Sequence, residues 1–209
     1  MKPTGEVVYL VDDDARVREA LSEFLASLGI EHLTFGSAEE YLAHVRSDIC
    51  ACLVLDVQLP DINGLDLQRQ LGSGSSPPII FISGHGDIPS TVRAMKAGAI
   101  DFLTKPIDPP ALVTAIRAAF AQDLERRLKA ADLMNLQRRF ALLTPREREV
   151  LPLVAAGMLN KQAAALLGIT EVTLQVHRGQ IMRKMEADSF ADLVRMAGKL
   201  GIPAPDGTL

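Results

Sequence analysis

Only two cysteines occur among 209 residues, Cys50 and Cys52. Two positions apart on one strand, they cannot close a disulfide, and two thiols are too few for a zinc site. Reduced thiols buried in a cytoplasmic protein are expected. No apolar stretch approaches the roughly 20 residues that span a bilayer. Met1-Lys2-Pro3-Thr4-Gly5-Glu6 lacks the core of a signal peptide. A soluble chain with no membrane partner follows. The stretch from Gly72 to Ser76 leads into Pro77-Pro78 and not into Gly-Lys-Ser/Thr, so it reads as a flexible surface loop and not as a phosphate cradle. A strong basic charge is missing too. The net charge of −4 divides into −7 over residues 1–121, +2 over 122–143 and +1 over 144–209. An acidic front and a neutral-to-basic rear fit a cation-binding module joined to one that approaches nucleic acid.

What is present is periodic. Strand-like runs at Val7–Val11, Glu31–Phe35, Ala51–Leu55, Ile79–Ser83 and Ile100–Leu103 alternate with helical patterns. The helices are expected at Ala15–Leu28, Ala38–Arg46, Gly64–Leu71 and Ile88–Ala97. This alternation predicts βαβ units and a parallel five-stranded sheet; in a doubly wound sheet ordered 2-1-3-4-5, strands 1, 3, 4 and 5 are consecutive neighbours. A fifth helix follows Pro109-Pro110 and meets no further breaker until Pro145. Its apolar stripe, Leu112, Ile116, Phe120, Leu124 and Leu128, recurs every four residues. It therefore rotates about 40° per step, leaving the sheet for another surface. We read residues 1–121 as the α/β domain, 122–143 as a helical linker and 144–209 as an all-α, four-helix domain.

Chemistry gathers at the strand ends. Asp12 and Asp13 close the first strand and Asp56 closes the third, at the edge where open α/β sheets bind ligands. Clustered carboxylates repel unless a hard cation neutralises them. Mg²⁺ (or Mn²⁺) is therefore expected on Asp12, Asp13, Asp56 and the Gln58 carbonyl, with Asp56 as the acceptor oxygen. The Ser83 hydroxyl and the Lys105 ammonium are placed to bind a phosphoryl group. Asp14 reads as a helix N-cap. His85, in the loop Gly84-His85-Gly86-Asp87, is a poor ligand for a hard ion.

Val11-Asp12-Asp13, Asp56 with Pro60 and Gly64, Ile82-Ser83-Gly84 and Lys105-Pro106 together resemble the receiver domain of two-component response regulators, over about Val7 to Phe120. The resemblance implies phosphorylation of Asp56 by a sensor histidine kinase or small phosphodonor. It also makes Phe102 a switch aromatic coupled to Ser83. Residues 144–201 resemble the LuxR-type helix-turn-helix domain of NarL/FixJ regulators. Thr144-Pro145-Arg146-Glu147, Asn160-Lys161-Gln162, Leu167-Gly168-Ile169 and Val176-His177-Arg178 carry that likeness, and the last of these, with Gly84-His85-Gly86-Asp87, points to the FixJ/StyR-like branch. A DNA-binding transcription regulator is implied, not a turnover enzyme. Double-stranded DNA, a homodimer when phosphorylated or DNA-bound, and RNA polymerase are the further partners.

Thr144 with Pro145 and Glu147 predicts a capping box opening the first helix of this domain. Further helices are expected at Lys161–Leu167, Glu171–Lys184 and Phe190–Leu200, and Pro152 should kink or split the first. On the third, Leu174, His177, Ile181 and Met185 form the inward stripe. Thr173, Gln175, Val176, Gln180, Arg183 and Lys184 are left for DNA, Arg178 belongs to the same candidate set, and Lys161 is a phosphate contact. Gly179 costs about 1 kcal/mol in a helix. With a domain charge of +1, tight binding calls for two copies on a near-palindromic site. Leu193, Val194, Ala197 and Leu200 are candidates for that dimer face. One rival reading takes Asp12 as the nucleophile of a haloacid-dehalogenase-type phosphatase, which leaves Asp56 without a purpose. Another keeps DNA binding but makes the front domain a phosphate-independent partner module.

Overall fold

The computed structural model describes residues 5–45, 48–72, 76–84 and 88–202. The expectations for His85 and for residues 73–75 and 46 lie outside them. The chain forms two compact units, residues 1–127 and 128–209.

In the first unit β1 (Glu6–Val11), β2 (Glu31–Phe35), β3 (Cys50–Asp56), β4 (Ile79–Ser83) and β5 (Asp101–Thr104) alternate with α1 (Ala15–Ser27), α2 (Ala38–Ala43), α3 (Gly64–Leu71) and α4 (Ile88–Lys96). The sheet is parallel throughout, in the order β2-β1-β3-β4-β5. Its middle strands are apolar without interruption because both faces are covered. Tyr9, Leu53, Leu55 and Phe81 pack under α2, α3 and α4, while Val8, Leu10, Val54 and Ile80 pack under α1 and α5 (Pro109–Ala141). Cys52 is fully buried and Cys50 donates its thiol to the Phe120 carbonyl, 3.3 Å away; both are free. Burial pushes both thiols up from their ordinary pKa.

The stripe on α5 leaves the sheet as its four-residue spacing demands. Leu112, Ile116 and Phe120 are buried, whereas Leu124 and Leu128 are exposed. Polar chemistry takes over where the apolar stripe ends. Asp123, wholly buried, accepts from the Ala51 N–H at 3.1 Å and pairs with Arg126 and Arg127. Arg126 also reaches the Ser76 carbonyl and Arg127 reaches Asp48. A buried carboxylate with this many donors is compensated in place, so the linker's first turns belong to this unit.

The second unit contains the end of α5 and α6 (Pro145–Ala155), α7 (Asn160–Leu167), α8 (Glu171–Met185) and α9 (Phe190–Lys199). Its core gathers Leu136, Leu143, Val150, Leu174, Ile181 and Met185. Thr144 and Glu147 form the expected capping box, and Thr170 and Ser189 cap α8 and α9. Helix α6 is not split at Pro152; it runs unbroken from Pro145 to Ala155. The proline lies past the first two turns, and the helix tolerates one missing N–H because Leu151 and Leu153 on either side are buried. Gly168, with φ +64°, makes the left-handed turn between α7 and α8, a conformation glycine adopts without steric cost. Arg139 ties the end of α5 to α8 through the Met185 carbonyl (3.3 Å) and Glu186 (2.6 Å).

Candidate functional site

The loops after β1, β3, β4 and β5 bring the sequence-predicted acidic and basic side chains together. One carboxylate oxygen each from Asp12, Asp13 and Asp56 lies within 4.8 Å of the others. Lys105 Nζ sits 2.6 Å from Asp12 Oδ2 and 2.5 Å from Asp56 Oδ2. The two buried aspartates are used alike. Asp12 Oδ1 accepts the Asp14 N–H and Asp56 Oδ1 accepts the Gln58 N–H, both at 2.9 Å. One oxygen of each is therefore occupied by its own turn, and the other is aimed at Lys105.

Burial pushes the Asp12 carboxyl above the usual range, against the pull of Lys105 and the Asp14 N–H, and Asp56 adds to the rise. Burial alone would depress Lys105; its bonds to Asp12 and Asp56 outweigh that and hold the ammonium above its ordinary value. One cation faces three acids. Asp12 is closed to solvent, Asp13 is exposed, and the Asp56 and Lys105 side chains keep 6% and 21% of their exposure. This all-oxygen donor set suits a hard divalent cation.

The backbone explains why the cluster can form. Asp12 N–H bonds to the Phe35 carbonyl, Val57 N–H to Ile82 and Lys105 N–H to Ser83, so strand pairing holds all four loops at one edge. Gly64 is required for this: a Cβ there would stand 2.3 Å from the Asp56 carbonyl oxygen. Ser83 is buried at the end of β4. Phe102 is half-buried, with its ring centroid 6.2 Å from that of Phe81. Asp14 caps α1 through the Arg16 N–H, as its place before a helix implies. Arg18, which sequence reasoning missed, donates to the Asp12 carbonyl at 2.6 Å. It is six residues away on α1, and only the fold reveals the contact.

On α8, Leu174, Ile181 and Met185 are fully buried and His177 is half-buried beside them. Thr173, Gln175, Val176 and Arg183 are exposed, as is Lys161 at the start of α7. Gln180 accepts from Arg183 at 2.5 Å. Val172, 72% exposed, lies one turn before Val176 on the same face and was overlooked because an aliphatic residue carries no signal of exposure. Two residues of the expected DNA set are otherwise engaged. Lys184 pairs with buried Glu147 at 2.7 Å, and Arg178 bonds to Asn160 and lies over the Phe190 ring. Burial works to raise the Glu147 carboxyl, but Lys184 and the Thr144 N–H prevail and hold it below the ordinary value of 4.5. Leu193 and Ala197 of the expected dimer face are spent on the unit's own core, while Val194 remains 37% exposed.

Comparison with known proteins agrees with both halves. Residues 8–117 match the response regulator receiver domain and residues 141–197 the luxR family of bacterial regulatory proteins. Nodulation protein W of Bradyrhizobium diazoefficiens is 48% identical over 202 residues, covering 96% of this chain and 89% of that protein. The transcriptional regulatory protein FixJ of Azorhizobium caulinodans is 41% identical over 209 residues, covering 99% of each. The solved structure of the response regulator StyR, 47% identical, superposes with a TM-score of 0.80 and covers 94% of this chain and 100% of that one. Among the described residues no helix is long and apolar enough to cross a membrane. The receiver implies a histidine kinase as partner and the helix-turn-helix implies DNA. The acid cluster, the parallel sheet that assembles it and the helix-turn-helix later in the sequence place this chain in the FixJ-like family of two-component transcriptional response regulators, which are not turnover enzymes.

Proposed function

We propose that Asp56 accepts a phosphoryl group from a sensor histidine kinase or a small phosphodonor, and that the adduct controls binding of double-stranded DNA through α8. The supporting observation is the clustering of Asp12, Asp13 and Asp56, two of which, Asp12 and Asp56, share the Lys105 ammonium. Asp12, Asp13, Asp56 and the Gln58 carbonyl would hold Mg²⁺ (or Mn²⁺), which when bound neutralises the charge of an incoming phosphate. An Asp56 oxygen attacks phosphorus, an oxygen–phosphorus bond forms and the bond to the donor breaks, its electron pair leaving on the donor's imidazole nitrogen or, for a small phosphodonor, on its leaving oxygen. The Gln58 N–H keeps the carboxylate oriented. Lys105 leaves Asp56 Oδ2 for a phosphoryl oxygen, the Ser83 hydroxyl turns to another, and Phe102 follows inward into the space beside Ser83. The face of α4 and β5 changes with it.

At the output end Thr173, Gln175, Val176, Gln180 and Arg183 face the duplex and Lys161 meets phosphate. A homodimer, with Val194 on its face, supplies the second half-site, RNA polymerase is the downstream partner, and the protein acts in the cytoplasm. Residues 1–121, 122–143 and 144–209 serve as receiver, linker and DNA-binding domain. The test is to treat the protein with a small phosphodonor and Mg²⁺ and map the adduct by mass spectrometry. Asp56→Asn should carry none, while Asp12→Asn retains one. An adduct that persists in Asp56→Asn and disappears in Asp12→Asn would refute the assignment and restore the phosphatase reading. Footprinting with and without phosphodonor then tests control; unchanged DNA affinity would favour the phosphate-independent module.

A further inference from the structure

We propose that Arg178 is a positioning residue of the DNA-binding unit, joining α8 to the first residues of α7 and α9, and not itself a DNA contact. This rests on the reading that α8 meets DNA. Val172, Val176, Gly179 and Arg183 define the exposed face of α8. At about 100° per residue, Arg178 lies roughly 120° around the helix from the centre of that face. Its guanidinium is accordingly directed elsewhere. Nη1 donates to Asn160 Oδ1, and Cζ stands 5.3 Å from the Phe190 ring centroid.

Three helices thus meet on one side chain. Helix α8 carries it, α7 begins at Asn160 and α9 begins at Phe190. A cleft of about 430 Å³ opens here, lined by Gly157, Leu159, Lys161, Glu171 and Phe190. The apolar core does not fill the space between the start of α7 and the start of α9, so the planar cation spans it. Arginine suits this task and lysine does not, because a guanidinium stacks flat on a ring while donating in its own plane. Lys161 adjoins Asn160 on the exposed side. The Arg178–Asn160 bond therefore sets where the phosphate contact stands relative to Val176 and Arg183. The Phe190 contact fixes the same arginine to α9.

The experiment measures affinity of the full chain for a duplex selected from a random-sequence pool by the wild-type protein, across a range of salt. Arg178→Lys, Phe190→Leu and the double variant are compared, with Lys161→Ala as the phosphate-contact reference. Arg178→Lys and Phe190→Leu should each weaken binding about tenfold, and the double variant should lose little more than either, since both break one coupled contact. Their salt slopes should equal the wild-type slope, whereas Lys161→Ala lowers the slope by about one. Hydrogen exchange should show the unit still folded in each variant. Wild-type binding by Arg178→Lys would overturn the proposal, because charge alone would then suffice. So would wild-type binding by Phe190→Leu, an additive double variant, a reduced salt slope, or an affinity loss matched by an equal loss of folded unit. If the wild-type chain selects no duplex, both this inference and the reading beneath it are overturned.

Discussion

Each unit buries a carboxylate against a lysine, and the two pairs behave in opposite ways. In the second unit Glu147 meets one ammonium, Lys184, and also accepts the Thr144 N–H at 2.8 Å. Charge is balanced one to one, and the carboxyl is held below its ordinary value. In the first unit Asp12 and Asp56 share one ammonium, with Asp13 alongside. The carboxyl of Asp12 is held above its ordinary value. Both pair a carboxylate with an ammonium, but Asp12 is wholly closed to solvent, and that burial is the largest cause of its rise, to which the second carboxylate adds. A balanced pair fastens helices together; an excess of negative charge leaves a donor set suited to a hard cation.

Removing the cation from each pair should widen this contrast most. Lys105→Met leaves two buried carboxylates facing each other, and the metal-free receiver should lose about 3 kcal/mol, the lower end for breaking a buried pair. Saturating Mg²⁺ should restore most of it, as read by hydrogen exchange in residues 5–127. Lys184→Met should cost the second unit about 2 kcal/mol, less because the Thr144 N–H still serves Glu147. Mg²⁺ should restore nothing there; recovery with the metal would show that the two pairs are not different in kind.

Glycine offers a second comparison between the units. Gly64→Ala places a Cβ 2.3 Å from the Asp56 carbonyl oxygen, and should destabilise the receiver by about 2 kcal/mol and slow phosphorylation. Gly179 has nothing within 4 Å of a built Cβ, so Gly179→Ala should raise the stability of the second unit by about 1 kcal/mol. A destabilised Gly179→Ala, measured by denaturant unfolding, would contradict the open space seen there.

The smallest effect expected is with pH. Glu147 is depressed, so its contribution is present above pH 4.5, its ordinary value, and is lost as pH falls through the folded value. Asp12 is raised, so its ionisation works against folding as pH rises through its folded value. Acidification should therefore weaken the second unit by about 1 kcal/mol more than the first. Glu147→Gln should shrink that difference between the units in an acid titration followed by hydrogen exchange, leaving the part that comes from Asp12.

Much of this was legible beforehand, for a definite reason. Uninterrupted apolar runs marked β1, β3 and β4, because a strand buried on both faces has no other pattern, and the aspartates that end the first two marked the edge at which Asp12, Asp13 and Asp56 gather. Thr144-Pro145-Arg146-Glu147 marked the start of a helix through capping chemistry local to four residues. The four-residue spacing on α5 carried the departure of Leu124 and Leu128 from the sheet. Contacts made by long side chains across the fold were not legible. Lys184 and Arg178 read as basic residues of a DNA-binding helix, yet the tertiary structure gives one to Glu147 and the other to Asn160 and Phe190. Arg18 and Asp123 gained their roles in the same way. Periodicity and caps are properties of neighbours along the chain, so the amino acids alone determined them. Which cation meets which carboxylate depends on groups tens of residues apart arriving within about 3 Å, and only the folded packing decided that.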